Sequence, residues 1–301
     1  MPTLKEIKGR IASVKSTLKI TSAMKLVSSA KLRKAQKAIE AMRPYQETLE
    51  SMLAAVEIPG QAGNDVMPGS PLVMPGTDRA SQPRVIVAIA SNSSLCGGFN
   101  ANAVAKVRSV RKPGDTVYSI GRKMADAMAR DGFRSPKDFS ALSEHPQYAP
   151  AAALVESLAK EVAEGRASQV LLVYNHFVST GKQVPVVETL LTGGDMIPSA
   201  KENADAPGIM PPPVKNDTGD SDYIIEPSAS ELKAQLVPKT IKLKLLAAIL
   251  DSAAAEHAAR TVAMQTATDN AQTLLDELTL QYNKGRQQKI TAEILTLTTY
   301  E

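Results

Sequence analysis

The chain has 301 residues, 43% apolar and 22% charged, proportions of a folded protein with one large core or two ordinary ones. Aromatic residues make up only 4% and tryptophan is absent, which argues against a stacking groove for nucleic acid or an aromatic-lined sugar site. The formal charge of +4 is unevenly placed: residues 1–40 carry ten Lys or Arg against Glu6 and Glu40, a basic segment suited to an acidic partner.

Thr3 and Glu6 form a capping box at the start of a first long helix. From Leu4 to Val56, positions 4, 7, 11, 14, 18, 21, 25, 28, 32, 35, 39, 42, 46, 49, 53 and 56 keep a strict 3-4 alternation, and twelve of the sixteen are apolar. A repeat of about 3.5 residues over that distance predicts a left-handed coiled coil. Around Thr21, Lys25 and Ser28 the large seam residues give way to small or polar ones, so the rod buries little apolar area there. Pro44 predicts a kink, and Pro59-Gly60 a stop. Residues 1–58 are therefore assigned to an N-terminal coiled-coil helix, and 59–83, rich in Pro and Gly, to a mobile loop.

The period then changes. Arg84–Ala90, Thr116–Ile120 and Gln169–Tyr174 are apolar strand runs, and Val184–Leu190 and Asp222–Glu226 supply further strands. Helical patterns at about Asn102–Arg111, Arg122–Arg130 and Tyr148–Glu164 lie between them. This alternation predicts a central Rossmann-like α/β domain over 84–227 with helix-covered faces, carrying a mobile insertion at 193–221 that contains Pro211-Pro212-Pro213. Ser228 and Glu231 cap a second long helix over 228–301, in which Pro238 predicts a bend or restart. Its seam runs through Leu243, Leu246, Leu250 and Ala253, is occupied by His257 and Arg260, and resumes at Met264, Ala267, Ala271, Leu274 and Leu278. Two such helices at opposite ends of one chain are explained by antiparallel pairing with each other, because neither buries its stripe alone.

Residues carrying chemistry are few. Cys96 is the single cysteine, which excludes an internal disulfide. The loop Ser91–Asn100 occupies a ligand position in α/β proteins but has neither a GxGxxG nor a GxxxxGK[ST] order. Cys96 or Ser93 as a nucleophile lacks a partner base, because His145, His176 and His257 are scattered and read as surface or packing residues. No catalytic residue, cofactor site or metal site is assigned. No run has the apolar length of a membrane span, and the start MPTLKEIKGR lacks a signal peptide's apolar region, so a location on the cytoplasmic side is expected.

The stretches IKGRIASVKSTLKITSAMKLVSSAKLRKAQ, SLCGGFNAN, VLLVYNHFVS with QVPVVETLL, and EHAARTVAMQTATDNAQTLLDELTLQYNKGRQQKITAEI occur in that order. In this the sequence resembles the gamma-subunit family of bacterial F-type ATP synthases, the central stalk of F1. The resemblance implies a rotor without an active site of its own, whose shaft turns inside three alpha and three beta subunits. Its α/β domain would rest, with the epsilon subunit, on the membrane c-ring. It further implies a peripheral place on the cytoplasmic side of the bacterial inner membrane, contact with the membrane only through the c-ring, and no nucleic-acid partner. Carried over residue by residue, Met24 is a deformable contact near the neck, with Lys25 beside it near an acidic loop of beta. Arg260, Gln287 and Thr291 face beta loops, with Lys284 and Arg286 close by. Ser91-Asn92-Ser93-Ser94 depart from the family's usual turn, and the 193–221 insertion has no cysteine pair for thiol control. A coiled-coil adaptor for an acidic protein or a nucleic acid would also account for the basic first forty residues, though not for two ends that pair around an α/β insertion.

Overall fold

Helix α1 spans Leu4–Val56 in a computed structural model of the protein, which describes residues 3–56, 83–192 and 229–298. Its start is the expected capping box: the Thr3 N–H donates to Glu6 Oε2 at 2.9 Å and the Glu6 N–H to Thr3 Oγ1 at 3.3 Å. Every predicted seam position from Leu4 to Leu53 is buried or half-buried. The kink expected at Pro44 does not interrupt the helix. That residue lies on the exposed side, where water can reach the carbonyl its ring leaves without a donor.

The central sheet is mixed and four-stranded, in the order β2-β1-β3-β4, with β1 at Val85–Ile89, β2 at Thr116–Ile120, β3 at Gln169–Ser179 and β4 at Lys182–Thr192. Strands β1, β2 and β3 run parallel, and β4 returns antiparallel on β3. Side chains of β1 alternate between two cores, as a strand with both faces covered requires. Ile86, Ala88 and Ala90 meet α2 (Phe99–Val110) and α3 (Arg122–Arg130) through Ala103, Val104, Val107, Met124 and Met128. Val85, Val87 and Ile89 meet the short α4 (Ser140–Glu144) and α5 (Tyr148–Ala163) through Leu142, Leu154 and Leu158.

Helix α6, Ala229–Thr298, is 70 residues long and continues through Pro238 without the expected restart. At 1.5 Å per residue it extends about 105 Å. Its first part completes the second core with Val237, Ile241, Leu245, Ala248 and Ile249, so the shaft helix is itself one of the covers of the sheet. Strands β3 and β4 outrun the predicted Gln169–Tyr174 and Val184–Leu190, because the residues beyond Tyr174 stay in register with β4 and find polar partners, Asn175 at the Phe99 carbonyl and His176 at Asp251 of α6. Helix α2 starts at Phe99, three residues earlier than expected, and α4 was not anticipated. Between β2 and α3, Gly121 takes φ 102°, and a Cβ there would lie 2.1 Å from the Ala90 carbonyl oxygen. The expected strand Asp222–Glu226, the cap at Ser228, residues 59–82 and the 193–221 insertion with its three prolines lie outside the described residues.

Candidate functional site

Helices α1 and α6 lie antiparallel, and their register can be followed over most of α1. Leu4 packs against Gly285, the Thr21 and Thr268 hydroxyls meet at 2.9 Å, Leu32 and Ala35 pack with Ala254 and Ala258, and Leu49 with Leu236 and Leu243. The advance of 17 residues from Leu4 to Thr21 is matched by a retreat of 17 from Gly285 to Thr268. Small side chains make this closeness possible. Ala254 and Ala258 are wholly buried, and Ser28, Thr21 and Ala271 are buried in the same seam. Such contacts stabilise modestly, since the apolar area removed from water per residue is small.

Outside the seam the shaft is unusually apolar for a wet surface. Ile20, Leu26 and Val27 on α1, and Val262, Leu274 and Leu280 on α6, are large exposed hydrophobics. Single exposed apolar residues are ordinary, but a series along both helices marks contact surface. Met24 and Lys25 are half-buried among them, beside the seam residues Thr21 and Ser28.

Beyond Gly285, α6 continues to Thr298 without a facing stretch of α1, whose described helix begins at Leu4. Lys284, Gln287 and Thr291 sit here on one face, where with Gln288, Ala292 and Leu295 they line a shallow depression. Their spacings of three and four make them neighbours on the helix. The Thr291 hydroxyl donates to the Gln287 carbonyl at 2.9 Å. Arg286 is exposed on a different face, with Ile290 and Ile294, so the structure groups three of the four expected residues and separates the fourth.

Arg260 is elsewhere. It lies 24 residues before Lys284, about 36 Å along the axis, and is 8% exposed. Its guanidinium pairs with Glu256 at 2.8 Å and donates to the Ser94 carbonyl at 3.4 Å, which ties α6 to the 91–100 loop. Burial raises the Glu256 carboxyl above its ordinary range, against the opposing pull of Arg260 and Lys31. Burial, with the Arg260 and Lys31 charges, pushes the neighbouring His257 down to about 4, and its Nδ1 is buried without a hydrogen-bond partner among the described residues. These groups face a cleft of about 430 Å³ between α1, α6 and the α4 end of the head, with Lys31, Lys34 and His145 on its walls.

The 91–100 loop is a tight turn held from within. Asn100 Oδ1 accepts from the Ser91 N–H at 3.1 Å and the Ser91 hydroxyl approaches it at 3.0 Å, while Asn100 Nδ2 lies 3.2 Å from the buried Cys96 sulfur. Leu95 takes φ 66° and is 57% exposed, a conformation that costs a branched residue energy and presents it to solvent. Among the described residues no group of His, Cys, Asp or Glu is arranged to hold a metal, and no helix is long and apolar enough to cross a membrane.

Sequence reasoning missed one polar junction. Asp251 of α6 accepts the Phe177 N–H of β3 through Oδ1 at 3.1 Å, and its Oδ2 lies 2.5 Å from His176 Nδ1. The His176 ring, expected as a surface or packing residue, is half-buried and held by this carboxylate, whose hydrogen bond raises its pKa against the effect of burial. A signal was present in the polar end of an otherwise apolar strand run, but nothing in one sequence assigns its partner.

Comparison with known proteins follows the same lines as the architecture. A sequence-family model described as ATP synthase matches residues 3–299. The chain is 44% identical to an ATP synthase gamma chain of Phocaeicola vulgatus over 303 residues, covering 98% of this chain and 97% of that one. It is 37% identical to that of Flavobacterium johnsoniae, covering 98% and 96%. Among solved structures, a rotor chain of the Euglena gracilis mitochondrial ATP synthase superposes with a TM-score of 0.63 at 19% identity, over 95% of this chain and 98% of that chain. A central-stalk and c-ring structure from the Tetrahymena thermophila mitochondrial enzyme contains a chain that superposes at 0.56 and 21% identity, over 82% and 99%. These two likenesses concern the fold, whereas the family match and the closely covered relatives fix the lineage: the chain belongs to the ATP synthase gamma chain family.

Proposed function

We propose that the chain is the central-stalk rotor subunit of a proton-driven F1Fo ATP synthase, and that its α1–α6 pair is the shaft. The observation that carries this reading is the antiparallel pair itself. It is closed by alanine, serine and threonine, studded with exposed apolar residues, and continuous through α6 with a helix-covered head. A rod turning inside a three-fold ring meets each partner three times per turn, and a deep contact at any angle becomes a repeated barrier. Small and shallow contacts suit that task, and one asymmetric rod places three identical partners in three different states.

In this reading the pair is a left-handed supercoil, and residues 1–58 and 228–301 form the shaft around a head of 84–227, with 59–83 and 193–221 as connecting segments. Three alpha and three beta subunits surround the shaft. The head rests with the epsilon subunit on the c-ring, so membrane contact is indirect, on the cytoplasmic side of the bacterial inner membrane. Nucleic acid is not a partner. Catalysis occurs on beta, and the chain supplies no catalytic residue.

Met24 and Lys25 meet the beta subunits near the neck, and Lys284, Arg286, Gln287 and Thr291 meet them near the tip. Exposed charged or polar groups of this kind can be exchanged among identical partners at modest cost. Arg260 is the exception within that set: its pairing with Glu256 supports a role in holding the neck together. Mixing the purified chain with alpha and beta subunits tests the reading. A complex with one copy of the chain that hydrolyses ATP is expected, and failure to form it, or assembly with several copies, would overturn the assignment.

A further inference from the structure

The largest contact between head and shaft is apolar, with Val237, Ile241, Leu245, Ala248 and Ile249 of α6 laid against one face of the sheet. Apolar burial is non-directional: it resists separation but opposes weakly the sliding of a helix or its rotation about its own axis. Directional polar bonds fix both. Lys242 reaches Glu156 of α5 at 2.5 Å, but that carboxylate is 60% exposed. Lys244 reaches the Thr189 carbonyl at 3.2 Å and Glu188 at 3.6 Å, and Arg260 reaches the Ser94 carbonyl at 3.4 Å. All three begin on long side chains whose rotatable bonds yield under load.

The Asp251 junction differs in kind. A short side chain on α6 is held by two groups of β3, a ring nitrogen and a backbone N–H, at a point where β3 is paired with β4, His176 opposite Val184 and Phe177 opposite Gln183. Both side chains of the ion pair are mostly buried, so water competes little for the bond. The Phe177 ring beside it packs against Ala254 and Ala258 with Leu32 and Ala35 of the seam, and against Cys96 and Phe99 of the head. Two consecutive residues of one strand thus meet α6 and a cluster built from both shaft helices.

We infer that this clamp, Asp251 gripped by His176 and Phe177 with the Phe177 ring wedged into the alanine seam, is where turning force passes between head and shaft. Asp251 is the positioning residue that fixes the angle between them. The inference rests on the rotor reading and names the joint that reading requires.

The test uses the chain assembled with alpha and beta subunits, with those subunits immobilised and a bead tethered to the head through Lys182→Cys, at the exposed first residue of β4. The thermal spread of the bead angle during a catalytic pause reports the stiffness of the joint. Asp251→Ala is expected to broaden that spread about twofold while ATP hydrolysis stays within twofold of the parent. Asp251→Asn, which keeps an oxygen for the Phe177 N–H, is expected to recover at least half of the change. Lys242→Ala is expected to leave the spread unaltered. A purely structural role would lower the melting temperature of Asp251→Ala without altering the spread in assembled complexes, and that result overturns the inference. Should Asp251→Ala not assemble, His176→Phe removes one of the two grips, and an unchanged spread in that variant overturns it equally. A parent bead that never rotates on addition of ATP would instead refute the rotor reading.

Discussion

Replacing Arg260 by alanine separates the internal and external readings of that residue. The substitution removes the ion-pair partner described for Glu256, which is only 8% exposed, and leaves a carboxylate surrounded by protein. Breaking a buried pair in this way costs about 3–5 kcal/mol, because the surviving charge is neither solvated nor matched. At about 2–4 °C per kcal/mol for chains of roughly 150–250 residues, the melting midpoint falls by on the order of 10 °C. The loss depends on pH. Glu256 already stands above its ordinary 4.5 because of burial, and removing the Arg260 charge moves it further up. The folded chain then retains a proton that the unfolded chain releases, so stability falls as pH rises from the unfolded value through the folded one. The deficit of Arg260→Ala should therefore be larger at pH 8 than at pH 5. Adding Glu256→Gln removes the stranded charge and should recover more than half of the loss at pH 8. Thermal melts of the isolated protein, followed by helical circular dichroism at the two pH values, decide the matter. A single variant within 1 °C of the parent at pH 8, or a double variant no more stable than the single one, would refute the buried-pair reasoning and return Arg260 to the outer surface.

Gly121→Ala should cost about 3 kcal/mol or more, since φ 102° strains any L-residue and the new Cβ would stand 2.1 Å from the Ala90 carbonyl oxygen; an unchanged urea midpoint would contradict this. His257 is held near 4, below its ordinary 6.5, so the folded chain sheds a proton that the unfolded chain keeps, and this residue's contribution to stability is lost as pH falls from 6.5 through about 4. His257→Gln should flatten the dependence of the melting midpoint over that range, and equal slopes in parent and variant would exclude the assignment. Met24→Lys adds a charged anchor to a half-buried shaft position and should lower proton pumping per ATP hydrolysed while leaving assembly intact, whereas unaltered coupling would remove Met24 from the bearing.

The shaft was largely legible because its signal is periodic: positions spaced three and four apart proved to be the ones withdrawn from water, even where Thr21, Lys25 or Ser28 occupied them, with the exception of Leu274, expected in the α6 seam and found 45% exposed. Strands β1 and β2 were legible as continuous apolar runs between turn residues. Periodicity carried no information about which polar residues would be partnered across the chain. Asn175, which donates to the Phe99 carbonyl at 3.0 Å, and His176, which meets Asp251, ended the apolar run and so shortened the predicted strand. Arg260 was placed at a seam position by its spacing, but that spacing did not reveal that its partner, Glu256, lies one turn back on the same helix and turns inward with it. The role of α6 as a cover of the sheet was hidden for a related reason, since its apolar residues divide between two neighbours, Leu236 and Leu243 toward α1 and Val237, Ile241 and Leu245 toward the sheet, and the pattern names neither.

Because α6 supplies one wall of the head, the order of biosynthesis constrains folding. The ribosome has made β1 through β4 well before it reaches Ile249, so the part of the sheet face that α4 and α5 leave to α6 stays uncovered during that interval. Helix α1 waits longer still, as Leu4 meets Gly285, a contact between residues very far apart in sequence. Closing so distant a pair is slow for entropic reasons. The nascent chain therefore passes through a stage with a half-covered greasy sheet and an unmatched basic helix, which makes it a natural client for chaperones until α6 has left the exit tunnel.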